Sequence, residues 1–168
     1  MKTALSLGLA LTLGTFSLLS LPGNAYAVNA NNSGTSCKNY NAAQVADIDY
    51  LASGTRNLNA SPRYVICPIV RSPTSASYGV NVYVDGFAAA GRTISCTLYS
   101  YDYTGNYLGS QSFPAARTGT FDQYLSVAGS YWGNASVLCL LPGSAGGIIY
   151  DVDVVQECSA NVRRPIGQ

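Results

Sequence analysis

The chain contains no histidine, and this absence excludes several kinds of active site. Neither a Ser-His-Asp nor a Cys-His arrangement can form within one chain that lacks the residue. Charged residues make up only 10% of the 168 residues, and nine Lys and Arg stand against eight Asp and Glu. A nearly neutral chain offers no basic surface for phosphate groups, so we expect neither nucleic acid nor an anionic membrane as a partner.

The first 27 residues carry the features of a secretory signal peptide. Lys2 precedes an apolar run from Ala4 to Leu21, and Ala25-Tyr26-Ala27 has the small-x-small pattern of a cleavage site. No later stretch is apolar enough to span a bilayer, so no membrane insertion is expected after the signal is removed. We therefore predict a secreted protein, periplasmic or extracellular, with a signal peptide at residues 1–27.

Short runs of alternating apolar and polar residues predict an all-β protein. The clearest alternation places Ile94, Cys96 and Leu98 on one face of a strand. The densest apolar run, Arg63–Arg71, predicts a buried strand interrupted by Pro68, because proline cannot donate to a sheet ladder. A turn at residues 60–62 makes this run the second strand of a predicted hairpin.

These strands, separated by Gly, Pro and Asn turns, predict a single antiparallel β-sandwich or jelly-roll-like domain with disulfides. The expected domain covers residues 37–158. A flexible N-terminal segment at residues 28–36 precedes it, since that stretch is rich in Asn, Ser and Gly, and a disordered tail at residues 159–168 follows it.

Five cysteines in an exported chain favour disulfides over a metal site, because their spacing matches no zinc pattern. Cys96 and Cys139 each share a strand face with core residues, so we predict that they pair. Cys37 with Cys67 is the next prediction, and Cys158 is then the odd cysteine. A pairing of Cys37 with Cys158, which would leave Cys67 buried and free, stays open at this stage.

Three short motifs carry a resemblance. Val65-x-Cys67-Pro68-Ile69-x-Arg71, then Cys96-x-Leu98-Tyr99, then Cys139-x-Leu141-Pro142 resembles a recurring pattern in small secreted bacterial proteins of uncharacterised function. The resemblance spans residues 37–157. It implies a compact β-sandwich with two disulfides, brings no activity and no functional residues, and leaves Cys158 as an addition to the pattern.

The acidic residues suggest two kinds of chemistry, and the sequence favours neither. Asp151 and Asp153 lie on one face of the last predicted strand, about 7 Å apart, which a glycosidase could use. The alternation of that strand, however, places both carboxylates on the solvent face. The predicted core face holds Ile148, Tyr150, Val152 and Val154. Together with Asp47 and Asp49 they could bind calcium, but no EF-hand spacing is present. We predict a protein that is not an enzyme and that has no metal and no cofactor.

The aromatic residues give the more specific signal, with thirteen tyrosines and one tryptophan in the chain. Tyr99 and Tyr101 fall on the outer face of their strand, Tyr103 and Tyr107 flank the next turn, and Trp132 lies in a Gly-rich loop. Their rings could stack on sugars or hold a protein partner. Ordinary cross-strand tyrosine packing is the alternative. We predict these five residues as the ligand-binding residues.

Two hypotheses of function follow. The first is a secreted, non-catalytic domain that binds a polysaccharide or a cell-surface ligand, so that its partner is a glycan or a surface protein. The alternative is a structural or interaction subunit of the cell envelope or extracellular matrix. An exposed coplanar aromatic pair would favour the first, and a missing strand or open apolar edge would favour the second.

Overall fold

Eleven strands form the framework of the part of the chain that the structure describes. The structure, a computed structural model, describes residues 30–70, 79–113 and 118–155. In chain order the strands are β1 (Ala30–Ser33), β2 (Lys38–Asn39), β3 (Ile48–Leu51), β4 (Gly54–Asn57), β5 (Arg63–Pro68), β6 (Val80–Ala88), β7 (Ser95–Tyr101), β8 (Tyr107–Ser112), β9 (Gly119–Val127), β10 (Asn134–Leu141) and β11 (Gly147–Val155). Helical structure in the described residues is limited to 3-10 turns at Gly34–Ser36 and Ala42–Asp47.

The strands form two antiparallel sheets. The five-stranded sheet has the order β2-β5-β10-β7-β8. The six-stranded sheet has the order β3-β4-β11-β6-β9, with β1 also paired to β11. The predicted all-β sandwich is therefore confirmed. None of the helices in the described part of the chain is long and apolar enough to cross a membrane.

The core lies between the two sheets, and the alternation of each strand shows which side chains enter it. On β6, Val80, Val82 and Val84 are buried, and on β7 Cys96 and Leu98 are buried. Successive residues of a strand point to opposite faces, so the residues between them point outward. The structure confirms the faces predicted for β7, and Tyr99 and Tyr101 lie on its outer face.

Two disulfides fasten neighbouring strands of the five-stranded sheet. Cys96 and Cys139 are direct cross-strand partners on β7 and β10 and form one of them. Cys37, just before β2, bonds to Cys67 on β5 and forms the other. The structure thus joins the pairs that the sequence favours, and it excludes the Cys37–Cys158 alternative. Cys158, the predicted signal peptide and the predicted tail lie outside the described residues.

Within the segment 28–36, for which the composition predicts flexibility, the described residues 30–36 form a short strand and a 3-10 turn. Residues 30–33 form β1 and pair with residues 151–154 of β11. The Thr55 hydroxyl donates a hydrogen bond of 2.6 Å to the carbonyl of Gly34 and ties the following turn to β4. The prediction followed local composition, which cannot reveal pairing with a strand 120 residues away.

The predicted hairpin ending in Arg63–Arg71 is wrong, because β4 and β5 belong to different sheets. The buried side chain of Asn57 holds the crossing between them. Its amide donates to the carbonyl of Ser61 at 2.8 Å and to that of Pro142 at 3.2 Å. The chain thereby turns from one sheet to the other, and β5 pairs with β10 and β2 instead.

The alternation predicted for the last strand is also wrong in its first half. A bulge lies between Ile149 and Asp151, and it shifts the parity of β11. Ile149 is consequently buried, whereas Tyr150 is exposed. Beyond the bulge Val152 and Val154 face the core as predicted. The extra residue of the bulge therefore changes the faces only of the residues that precede it.

Candidate ligand-binding site

The outer face of the five-stranded sheet positions the first two predicted tyrosines. Tyr99 and Tyr101 alternate with the buried residues Leu98 and Ser100 on β7. Tyr99 lies between Ser136 on β10 and Ser110 on β8. Both tyrosines are half-buried, so each keeps part of its surface open to a ligand.

The turn from β7 to β8 is built around the carboxylate of Asp102. Its Oδ1 atom accepts hydrogen bonds from the backbone N–H groups of Thr104 and Asn106, both at 2.8 Å, and from the Thr104 hydroxyl at 2.6 Å. Hydrogen bonds from Thr104 and Asn106 lower the pKa of Asp102 to about 2. The carboxylate thus fixes the turn that carries Tyr103, whose side chain is 75% exposed.

Tyr107 returns the chain to the sheet opposite Tyr101. The two rings lie 6.0 Å apart with an angle of 64° between their planes. This is an edge-to-face contact, so the pair is not the coplanar pair that would favour sugar binding most directly. The Tyr107 hydroxyl donates to Ser110 at 2.7 Å, which fixes the direction of a ring that is still 58% exposed.

Trp132 comes to the same end of the sheet through the loop between β9 and β10. The neighbouring Gly133 packs so tightly that a side-chain carbon there would lie 2.5 Å from the Tyr101 carbonyl oxygen. Trp132 itself has φ 58°, a left-handed conformation that bulky residues rarely adopt. Its ring is 72% exposed, so this backbone conformation displays a large aromatic surface to solvent.

The structure therefore brings the predicted binding residues to one end of the five-stranded sheet. We call this group the aromatic end: Tyr99, Tyr101, Tyr103, Tyr107 and Trp132. Tyr101 is its centre, because its ring contacts Tyr107 and its carbonyl lies against the Trp132 loop. Tyr99 lies one step further along the same face.

The outer face of the six-stranded sheet holds a second group, of which the sequence singles out only Asp151 and Asp153. Asp85 on β6 lies directly opposite Asp151 on β11 and opposite Asp122 on β9. Carboxylate oxygens of Asp85, Asp151 and Asp153 lie within 4.8 Å of one another. We call these four residues the acidic cluster. Asp151 and Asp153 are on the outer face, as predicted, but both are half-buried.

The acidic cluster changes the ionisation of its central member. Burial is the largest of several causes that together raise the pKa of Asp85 to about 8; the others are a hydrogen bond with Asp151 and the charges of Asp122, Asp151 and Asp153. Asp85 is therefore protonated at neutral pH. The three clustered carboxylates offer oxygen ligands of the kind that a divalent cation such as calcium prefers.

Polar and aromatic neighbours surround this cluster. Asn31 on β1 donates to Asp151 Oδ2 at 3.3 Å. Tyr83 lies opposite Asp153 and opposite Tyr124, and the two tyrosine rings are 5.2 Å apart. On β6 the alternation with Val82 and Val84 places Tyr83 and Asp85 on the outward face. No local feature of the sequence indicates that β9 and β11 are the neighbours of β6.

The other acids considered for calcium lie in a different place. Asp47 accepts a hydrogen bond from Arg63 at 2.6 Å, and Asp49 forms an ion pair with Arg56 at 2.8 Å. The bond from Arg63, with a second from Asn59, lowers the pKa of Asp47. Neither Asp47 nor Asp49 joins the group formed by Asp85, Asp151 and Asp153, so the four-residue calcium set considered from the sequence is not assembled.

Solved structures with a similar fold include several carbohydrate-binding modules. The xylan-binding module CBM15 superposes with a TM-score of 0.51 at 12% identity, covering 80% of this chain and 100% of that one. A module CBM36 in complex with calcium and xylotriose gives 0.45 at 18% identity, covering 74% and 98%. TmCBM27, a module with specific mannan recognition, gives 0.43 at 10% identity, covering 79% and 99%. At 12% identity the likeness to CBM15 shows a shared β-sandwich fold and not a shared ligand.

The sequence comparisons are negative. No protein-family model and no curated protein sequence matches the chain. The resemblance of the cysteine motifs to a recurring pattern in small secreted bacterial proteins is therefore not confirmed as a family. What is confirmed is the fold that this resemblance implied.

Proposed function

We propose that the protein is a secreted, non-catalytic domain that binds a polysaccharide through its aromatic end. The observation that carries the proposal is the exposure of aromatic rings on a fixed scaffold. Tyr103, Tyr107 and Trp132 all present more than half of their side-chain surface to solvent. Large rings gain free energy when they leave water, and they offer flat apolar surfaces on which sugar rings can stack.

Two further features support this proposal. The turn at Asp102 and the Tyr107–Ser110 hydrogen bond hold the rings in place, so binding would require little ordering of the protein. The fold is shared with a xylan-binding module, and two disulfides suit a protein that works in an oxidising compartment.

Affinity gel electrophoresis tests the proposed function. The chain from Val28 to Gln168 would migrate through gels containing soluble xylan, galactomannan or mixed-linkage β-glucan. We expect slower migration in at least one gel, and loss of that effect in the double variant Tyr103→Ala with Trp132→Ala. Tyr150→Ala, which removes an exposed ring (37% exposed) from the six-stranded sheet, serves as the control.

Two results would contradict the proposal in different ways. Unchanged migration of the parent protein in all of these gels would argue against polysaccharide binding. Retardation that the double variant retains, with Tyr150→Ala abolishing it, would place the site on the other sheet.

A further inference from the structure

The outer face of the five-stranded sheet continues well beyond the aromatic end. Along β10 the outward residues after Asn134 alternate with buried ones, as they do along β7 and β5. Between the two ends of the sheet, the side chains on this face are short hydroxyl or apolar groups: Thr97, Ser136, Leu138, Leu140 and Ile66. We call this face the platform.

A second pair of tyrosines lies at the opposite corner of the platform. Tyr40 and Tyr64 have ring centres 6.3 Å apart and an angle of 66° between their planes, and both are exposed. The Tyr40 N–H donates to the Tyr64 carbonyl at 3.0 Å, which holds the pair together at the edge of the sheet. Its geometry matches that of the Tyr101–Tyr107 pair at the other end.

The strand register gives the distance between the two pairs. Tyr101 lies opposite Asn134, and Tyr64 lies opposite Leu140, six residues further along β10. At about 3.3 Å per residue the pairs are separated by about 20 Å along the strands, and two strand spacings of about 5 Å make the diagonal about 22 Å. This length corresponds to several consecutive sugar units and is far longer than one.

The platform also leads into a shallow cleft beyond Tyr64. Leu140 forms part of its wall together with Pro62 and Pro142, and Arg92 and Thr93 line the side contributed by the loop before β7. A chain that lies along the platform would therefore enter a concave surface at its far end. This arrangement suits a ligand that continues past the second tyrosine pair.

The charges of the molecule indicate what kind of chain would match. Between the two tyrosine pairs the outward side chains of β5, β10 and β7 are uncharged. The nearest cations on this side are Lys38 on the edge strand β2, whose ammonium lies 5.8 Å from the centre of the Tyr50 ring, and Arg92 in the cleft beyond the pairs. The four carboxylates of the acidic cluster lie on the other sheet. Hydroxyl groups and apolar faces on the platform complement a ligand that has hydroxyls and C–H faces but no ionic groups.

We infer, on the basis of the proposed function, that the platform binds an extended, uncharged polysaccharide chain along its length. The chain would run from the Tyr101–Tyr107 pair to the Tyr40–Tyr64 pair and contact internal sugars. Affinity should accordingly grow with the length of the chain until both pairs are occupied.

Isothermal titration calorimetry with oligosaccharides of two, four and six units tests the inference. The probes are β-1,4-linked xylo-, manno- and cello-oligosaccharides, with oligogalacturonate of the same lengths as the acidic counterpart. We expect the six-unit probe to bind at least about tenfold more tightly than the two-unit probe. Tyr64→Ala should weaken binding of the six-unit probe about tenfold and leave the two-unit probe unchanged, since only the longer chain reaches Tyr64.

Control variants separate loss of contact from loss of structure. Tyr64→Phe keeps the ring and should retain the affinity for the long probe, whereas Tyr150→Ala should have no effect. Tyr40→Ala repeats the test on the partner ring in case Tyr64→Ala melts at a lower temperature than the parent protein.

The outcomes distinguish this inference from the function on which it rests. Equal affinity for the two-unit and six-unit probes would overturn the proposal that a chain binds along the platform, and it would leave the proposed polysaccharide binding intact. Tighter binding of oligogalacturonate than of the neutral probes would overturn the uncharged ligand. No binding of any oligosaccharide, together with unretarded migration in the polysaccharide gels, would overturn the proposed function as well.

Discussion

The two outer faces of the sandwich have opposite chemistry. The five-stranded sheet displays tyrosine rings and hydroxyl groups, and both disulfides fasten its strands. The six-stranded sheet gathers the carboxyl groups of Asp122, Asp151 and Asp153 around Asp85, and none of the four described cysteines lies in its strands. On the first face the outward side chains of β5, β10 and β7 are uncharged and the strands are covalently joined, while the other face gathers carboxyl groups whose ionisation depends on pH. We propose ligand binding for the first face, because stacking on its exposed rings does not depend on ionisation.

The largest effect is expected from removing the covalent link of the five-stranded sheet. The disulfide between Cys96 and Cys139 closes a loop with a sequence separation of 43 residues. In the chain-entropy treatment its loss should lower the free energy of unfolding by about 4 kcal/mol. Urea unfolding of the double variant Cys96→Ala with Cys139→Ala measures it. A midpoint equal to that of the parent protein would contradict the expectation that this disulfide stabilises the five-stranded sheet.

A smaller effect is expected on binding when two rings are removed from the aromatic end. Tyr99→Ala with Tyr101→Ala should weaken polysaccharide binding by about 1–3 kcal/mol, the usual cost of losing aromatic anchors. The fold should be retained, because both rings lie on the outer face of β7. Calorimetry gives the affinity and circular dichroism the fold. If the variant unfolds, these tyrosines are packing residues, and if it binds unchanged, the site lies elsewhere.

A third prediction concerns the pH dependence of stability on the acidic face. Asp85 has its pKa raised from 3.8 to about 8, so between these values the folded state binds its proton more tightly than the unfolded state. The stabilisation that the proton on Asp85 gives to the folded state is complete below about pH 4 and is lost as the pH rises through about 8. The change should be on the order of 1 kcal/mol, since water screens this half-buried group.

Thermal unfolding between pH 5 and pH 9 checks this prediction. Asp85→Asn should remove the decrease in melting temperature toward high pH, because the amide cannot ionise. Asp102→Asn is the matched control from the other face: its carboxyl, with a pKa of about 2, stays ionised over the whole range. If the decrease persisted in Asp85→Asn and disappeared in Asp102→Asn, the pH dependence of stability would come from Asp102 and not from Asp85.

The smallest effect is expected for binding as a function of pH. Asp102 is the carboxylate of the aromatic end and remains charged between pH 5 and pH 8. Polysaccharide affinity should therefore change less than about twofold over that range, whereas the free energy of unfolding changes as Asp85 ionises. Affinity that follows the titration of Asp85 would instead show that the acidic cluster takes part in binding.

The sequence by itself determined the strands and the faces of most of them. Alternation is a local property with a period of two residues, so Ile94, Cys96 and Leu98 indicated the core side of β7 and placed Tyr99 and Tyr101 opposite. The pairing of Cys96 with Cys139 followed from the same parity. Turn chemistry indicated that Tyr103 and Tyr107 would lie near one end of the sheet.

Only the tertiary structure decided which strands are neighbours. The register that sets Asp85 opposite Asp151, the separation of β4 from β5 and the pairing of residues 30–33 all join segments distant in sequence. The bulge at Tyr150 likewise shifted a parity that the spacing alone had assigned differently. Strand order and register depend on how all the side chains fill one core, and no local pattern contains that information.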